Sequence, residues 1–246
     1  MASVSQAVVA RPSHRITGRN GIIDKYFYFA MSLLAVALVV AGFGQTVNPH
    51  LIHPAIPRPF ILWVHAAAFS AWVLFFVMQS ALVRTHNVRV HRTSGWFGAA
   101  LGTFMVPLGI ATAVVMKRFE VHRLHEARAG LFLSVPFVDI LSFAVCFALA
   151  IYWRRQPELH RRLLFIATCV LLAAAFGRFH QLGLFFYLGV DAVILLGVVR
   201  DLLVNCRVNT VYRIALPALI LTQAASMYLF LGAPAWWVRI TNAIVG

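Results

Sequence analysis

The sequence predicts an all-α integral membrane protein, a bundle of seven transmembrane helices with its N-terminus inside and its C-terminus outside. Three observations predict it. Hydrophobic residues make up 61% of the 246-residue chain and charged residues only 11%, whereas an average soluble domain carries roughly 25% charged residues. Mean hydropathy is +0.83. Seven segments reach the ~20 apolar residues needed to cross a hydrocarbon core about 30 Å thick. Soluble, disordered, collagenous and disulfide-scaffold classes are thereby excluded.

The spans fall at 26–44, 59–83, 94–116, 130–153, 161–177, 182–204 and 212–232. A polar, arginine-bearing tail (1–25) precedes the first. That span is long for a signal-peptide core and no small-residue cleavage site follows it, so it reads as a retained helix. The second carries Trp63, His65 and Trp72, and the third follows a His-Arg pair and a run of spaced glycines. The fourth and sixth hold Asp139 and Asp191 near their middles. The fifth is short and runs into Gly177-Arg178, so its start extends back toward Pro157. Proline suits a first helical turn and Glu158 beside it suits the positive end of the helix dipole. After the seventh, residues 233–246 read as a short interfacial tail, with Trp236 and Trp237 at the membrane–water boundary.

Lys and Arg number 21 against 7 acidic residues, a net charge of +14. Counted by loop, fourteen basic residues lie on the side of the N-terminal tail and seven on the other. This bias orients the N-terminus to the cytoplasm of a multi-pass inner-membrane protein. The loop after the third span is the exception, holding Lys117, Arg118, Arg123 and Arg128. Spread over short loops, the charge fits anionic lipid headgroups rather than nucleic acid.

Ionisable residues within spans are functional-site candidates. At the inner boundary, His91 and His160 are each followed by arginine and by a helix running outward. Gly95, Gly98 and Gly102 follow His91 at offsets that share one helix face. Such a stripe admits a flat macrocycle against the backbone while His91 and His160 ligate its iron, a b-type haem site. The same Gly98–Gly102 spacing is a small-residue motif that packs helices closely without a cofactor.

A second cluster comprises His65, Asp139, Asp191, Arg178 and His180. It reads as a buried ion pair of Arg178 with Asp139 or Asp191, with Tyr187 one turn from Asp191 and able to bond it. It also admits an outer haem between His65 and His180, or a proton or metal site. His50, His53, His122 and His125 add weak metal-like spacing in outer loops. Cys146, Cys169 and Cys206 lack metal or redox spacing and read as small apolar fillers.

Several classes fall on direct tests. Residues 212–232 lack the HxxxH of seven-helix zinc hydrolases, and no lysine follows Lys117 to form a retinal Schiff base. No GxSxG turn is present either.

Trp63-Val64-His65, Val90-His91-Arg92 with Gly95-Trp96, and Glu158-Leu159-His160-Arg161-Arg162 together resemble a group of bacterial polytopic inner-membrane proteins of unknown function. The likeness covers roughly the second to fifth spans and implies no defined activity. More distantly, the His-Arg-plus-glycine element is similar to di-haem b-type transmembrane cytochromes, which implies haem b and electron transfer with a quinone or redox partner. The competing classes are a proton-coupled transporter or channel using Asp139, Asp191 and His65, and a non-catalytic membrane scaffold. The lipid bilayer is a partner in each, and assembly into an oligomer is compatible with all three.

Overall fold

The computed structural model describes residues 19–126 and 128–246, and all regular structure among them is helical. In chain order they form α1 (Arg19–Val47), continued by a π-helical turn, then α2 (Ile61–Arg84), α3 (Val88–Arg123) and α4 (Ser134–Tyr152). α5 (Pro157–Leu171) with its short continuation α6 (Ala173–Phe176) follows, then α7 (Phe186–Asn205), α8 (Thr210–Gly232) and α9 (Ala235–Val245). Seven helical runs are long and apolar enough to cross a membrane, one for each predicted span. Arg11 and Arg15 of the predicted tail lie outside the described residues.

α1, α2, α3, α4, α8 and α7 pack in that cyclic order around α5. The bundle has two ends: one carries the start of α1 and the α2–α3, α4–α5 and α7–α8 connections, and is called here the N-terminal end. Outward faces expose Val40, Leu74, Val145, Leu188, Ile214 and Leu221, whereas buried positions include Ser32, Arg162, Arg200, Asp201 and Ser226. Apolar residues outside and polar ones inside suit lipid contact, because hydrocarbon offers a polar side chain no partner.

α5 begins where expected, with Pro157 at its first position and Glu158 in its first turn. Its core residues Phe165 and Ile166 are at most 1% exposed. The Thr168 hydroxyl donates back to the Leu164 carbonyl at 2.9 Å, a bond that bends helices, and regular α5 ends three residues later. The same hydroxyl accepts the indole N–H of Trp72 from α2 at 3.3 Å.

The segment 233–246, expected as a short interfacial tail, is an ordered helix. Trp237, Thr241 and Val245 of α9 are buried at a spacing that shares one face, and Trp237 Nε1 donates to the Leu131 carbonyl at 3.2 Å. Trp237 is therefore packed against the bundle, while Trp236 beside it is exposed. The 36 residues of α3 span about 54 Å, well beyond a hydrocarbon core of about 30 Å, and the far turns of α3 receive α9. Arg118 Nε donates to the Ile244 carbonyl at 2.7 Å and the His122 ring N–H to the Val245 carbonyl at 2.8 Å. These are the carbonyls that a helix C-terminus leaves unpaired. The loop that broke the charge bias thus spends Arg118 on α9, while Lys117 pairs with Glu120 at 2.5 Å.

Candidate functional site

Three polar clusters lie within the bundle. The most extensive is at the N-terminal end, where α1, α5, α7 and α8 converge. Asp201 of α7 accepts a two-pronged pair of bonds from Arg162 of α5, at 2.6 Å and 2.9 Å, and one from Arg200 at 2.7 Å. The Asn209 backbone N–H donates to it at 3.1 Å, which ties down the turn into α8. Arg200 reaches on to Asp24 of α1. Arg162 also pairs with Glu158 at 2.6 Å, Glu158 with Arg161 at 2.8 Å, and Arg161 with Asp24 at 3.5 Å. Three guanidiniums and three carboxylates close a neutral circuit. Arg162, Arg200 and Asp201 are at most 1% exposed, and the rings of Tyr28 and Tyr212 cover the circuit.

This is a correction to the sequence reading. The buried ion pairs belong to Arg162 and Arg200, residues read as loop charges, and not to Arg178. Arg178 donates to Thr46 at 3.2 Å and to the Ala174 carbonyl, and its guanidinium lies 3.8 Å from the centroid of the Phe43 ring. Among the described residues it has no acidic partner, and burial pushes its pKa down to about 10. A signal for the true pair was present: Asp201 falls inside the expected span 182–204, beside Arg200, in a chain with only 7 acids.

The second cluster holds His91 and His160, at the same end. The starts of α3 and α5 bring the two imidazoles within electrostatic range of each other. His160 Nδ1 lies 2.8 Å from the Ala150 carbonyl. A carbonyl only accepts, so Nδ1 carries the proton and Nε2 is the free lone pair. His91 Nδ1 is buried without a partner. Close by, Gln79 donates to Ser94 at 2.7 Å and Arg154 lies 5.8 Å from the Trp96 ring. Space above Gly95 is open, whereas a Cβ on Gly98 would collide with the Phe75 ring and one on Gly102 would lie 2.5 Å from Phe147. The glycine stripe beyond Gly95 is therefore filled by aromatic side chains of α2 and α4, as the packing reading of the motif requires.

The third cluster lies toward the opposite end, between α4, α7 and α8. Tyr187 donates its hydroxyl to Asp139 at 3.0 Å rather than to Asp191, the partner that spacing alone also allows. Side chains on a helix lean toward its N-terminus, which aims Tyr187 away from Asp191 and across to α4. Asp191 instead accepts the Gln223 amide at 3.1 Å. Ser134 donates to the Ser226 carbonyl at 2.9 Å. Each aspartate sits five residues past the start of its helix, and Asp139 lies close to the middle of the membrane-capable run Ala129–Tyr152.

His65 stacks on Phe69 with centroids 4.0 Å apart, and its Nδ1 is buried without a partner. Arg178 is the charge that acts on it. His180 is exposed, and no hydrogen bond or ring contact joins it to His65. His53 bonds Asn48 at 2.8 Å and His50 bonds the Thr46 carbonyl at 2.9 Å, so each is engaged locally. Among the described residues no group of three or more His, Cys, Asp or Glu side chains is arranged to hold a metal ion.

Compared with known proteins, this chain matches no family model, no curated protein and no solved structure.

Proposed function

We propose that this multi-pass membrane protein lies in an inner membrane with its N-terminus inside and holds a b-type haem through His91 and His160, serving a quinone or protein redox partner as an electron carrier. The observation that carries the reading is the placing of two imidazoles, from α3 and α5, within electrostatic range of each other, one with its tautomer fixed by the Ala150 carbonyl. A ligating histidine ordinarily donates its second ring N–H to a carbonyl or carboxylate, which orients the ring and raises ligand basicity. The His160–Ala150 bond has that form. Arg92, which acts on His91, and Arg154, beside Trp96, supply cations for the carboxylates of such a cofactor. Bound there, haem iron supplies one-electron chemistry. Packing at Gly98 and Gly102 confines the group to the Gly95 end of the stripe.

The test is a visible spectrum of protein purified in mild detergent after expression with haem supplied. Reduction by dithionite should sharpen the α band and shift the Soret band. His91→Ala and His160→Ala should each abolish that change while the protein remains folded. An absence of Soret absorption in the parent protein removes the reading.

A further inference from the structure

The chain has 7 acidic residues, and the structure places every one. Asp24, Glu158 and Asp201 belong to the arginine circuit, Glu120 is paired with Lys117, and Glu126 is exposed. Asp139 and Asp191 remain. Both lie within membrane-spanning helices, and each accepts its side-chain hydrogen bond from a neutral donor, the Tyr187 phenol or the Gln223 amide. Among the described residues neither pairs with a basic group. Tyr187 sits between them, within electrostatic range of both. Beside it Ser226 is 0% exposed, and its hydroxyl has no partner although it approaches the Tyr187 phenol.

Two ionised carboxylates in a low-dielectric bundle without cations are costly, and such groups neutralise instead. We propose that Asp139, Asp191, Tyr187, Gln223 and Ser226 form a proton-binding site, reached from water at the end of the bundle opposite the arginine circuit. It is independent of any haem at His91 and His160. Protonation puts an O–H on a carboxyl that otherwise only accepts, and the unpartnered Ser226 hydroxyl offers a further acceptor in the cluster. Tyr187 is the second residue of α7, and Asp139 lies five residues past the start of α4, about 8 Å along the helix. The packed elements leave the site little competition. Among their titratable groups, α4 and α5 bring only the thiols of Cys146 and Cys169, which neighbour each other. α8 brings the exposed phenol of Tyr228. α1 has none toward this end, Arg178 beyond α6 is engaged with Thr46 and Phe43, and Lys117 at the far part of α3 is bound to Glu120.

Infrared difference spectroscopy of the purified protein in phosphatidylcholine vesicles tests the site. At neutral pH the parent protein should show a protonated-carboxyl C=O band that moves in heavy water and vanishes on alkaline titration. Asp139→Asn and Asp191→Asn should each reduce or shift the band, and sodium chloride at constant pH should leave it unchanged. Absence of the band in the parent overturns the proposal, as does a band untouched by both variants. Its loss on adding sodium overturns it in favour of a metal-cation site. If neither Asn variant folds, Tyr187→Phe decides: removing the phenol donor should shift the band, and an unmoved band refutes the assignment.

Discussion

Replacing Asp201 by alanine should be the most damaging single truncation in this bundle. The side chain is 0% exposed and accepts from Arg162, Arg200 and the Asn209 backbone. Alanine leaves two guanidiniums, each 1% exposed, with a carboxylate missing between them. Breaking a buried pair in this way costs about 3–5 kcal/mol, whereas replacing both partners by apolar residues of similar volume is often neutral. At about 2–4 °C per kcal/mol for a chain of this size, Asp201→Ala should lower Tm by roughly 6–20 °C. The double variant Arg162→Met/Asp201→Leu should recover most of that loss, because Arg161 and Arg200 still balance Asp24 and Glu158. The chain supplies its own probe: Cys146 and Cys169 are free and buried. In a Cys206→Ser background, a fluorogenic thiol dye therefore reports unfolding in detergent. The reasoning fails if Asp201→Ala melts within about 3 °C of its parent, or if the double variant melts no higher than Asp201→Ala.

Two further outcomes follow from packing. Gly102→Leu forces a side chain into the Phe147 ring, which a Cβ alone would approach to 2.5 Å; overpacking of this kind should cost about 1–3 kcal/mol in the same melting assay. Gly95→Leu, where space is open, should change Tm little. Arg118→Ala with His122→Ala removes both donors to the C-terminal carbonyls of α9 and should speed trypsin cleavage at Arg239 several-fold, while Tm moves by only about 1–2 kcal/mol equivalent.

Span count was legible because twenty-residue apolar runs have few alternatives, and the start of α5 was legible because Pro157 and Glu158 carry a helix-start signature. What escaped lay at helix ends. Arg162 and Arg200 look like boundary charges until folding brings Asp201 and Asp24 to them, across 39 and 176 residues of sequence. α9 escaped because its 11 residues are too few for a span, although Trp237, Thr241 and Val245 keep a helical spacing. Tyr187 is within reach of Asp191 by sequence spacing, and the lean of helical side chains carries it to Asp139 instead. The His91–His160 proximity followed from reading alternate helix ends as one side. Occupation of the glycine face by Phe75 and Phe147 did not, since no spacing rule says which ring fills a groove.

The central place of α5 bears on how the protein is made. Of the seven spans it has the lowest mean hydropathy, 1.7, and the largest buried share, 67%, and it enters the membrane with Arg162 near its leading end. Its main counter-charge, Asp201, is synthesised 39 residues later. During that interval Glu158, one turn earlier on the same helix, is the partner available to the guanidinium. In chain order the Arg162–Glu158 pair is therefore local, whereas the pair that completes the burial of Arg162 waits for α7.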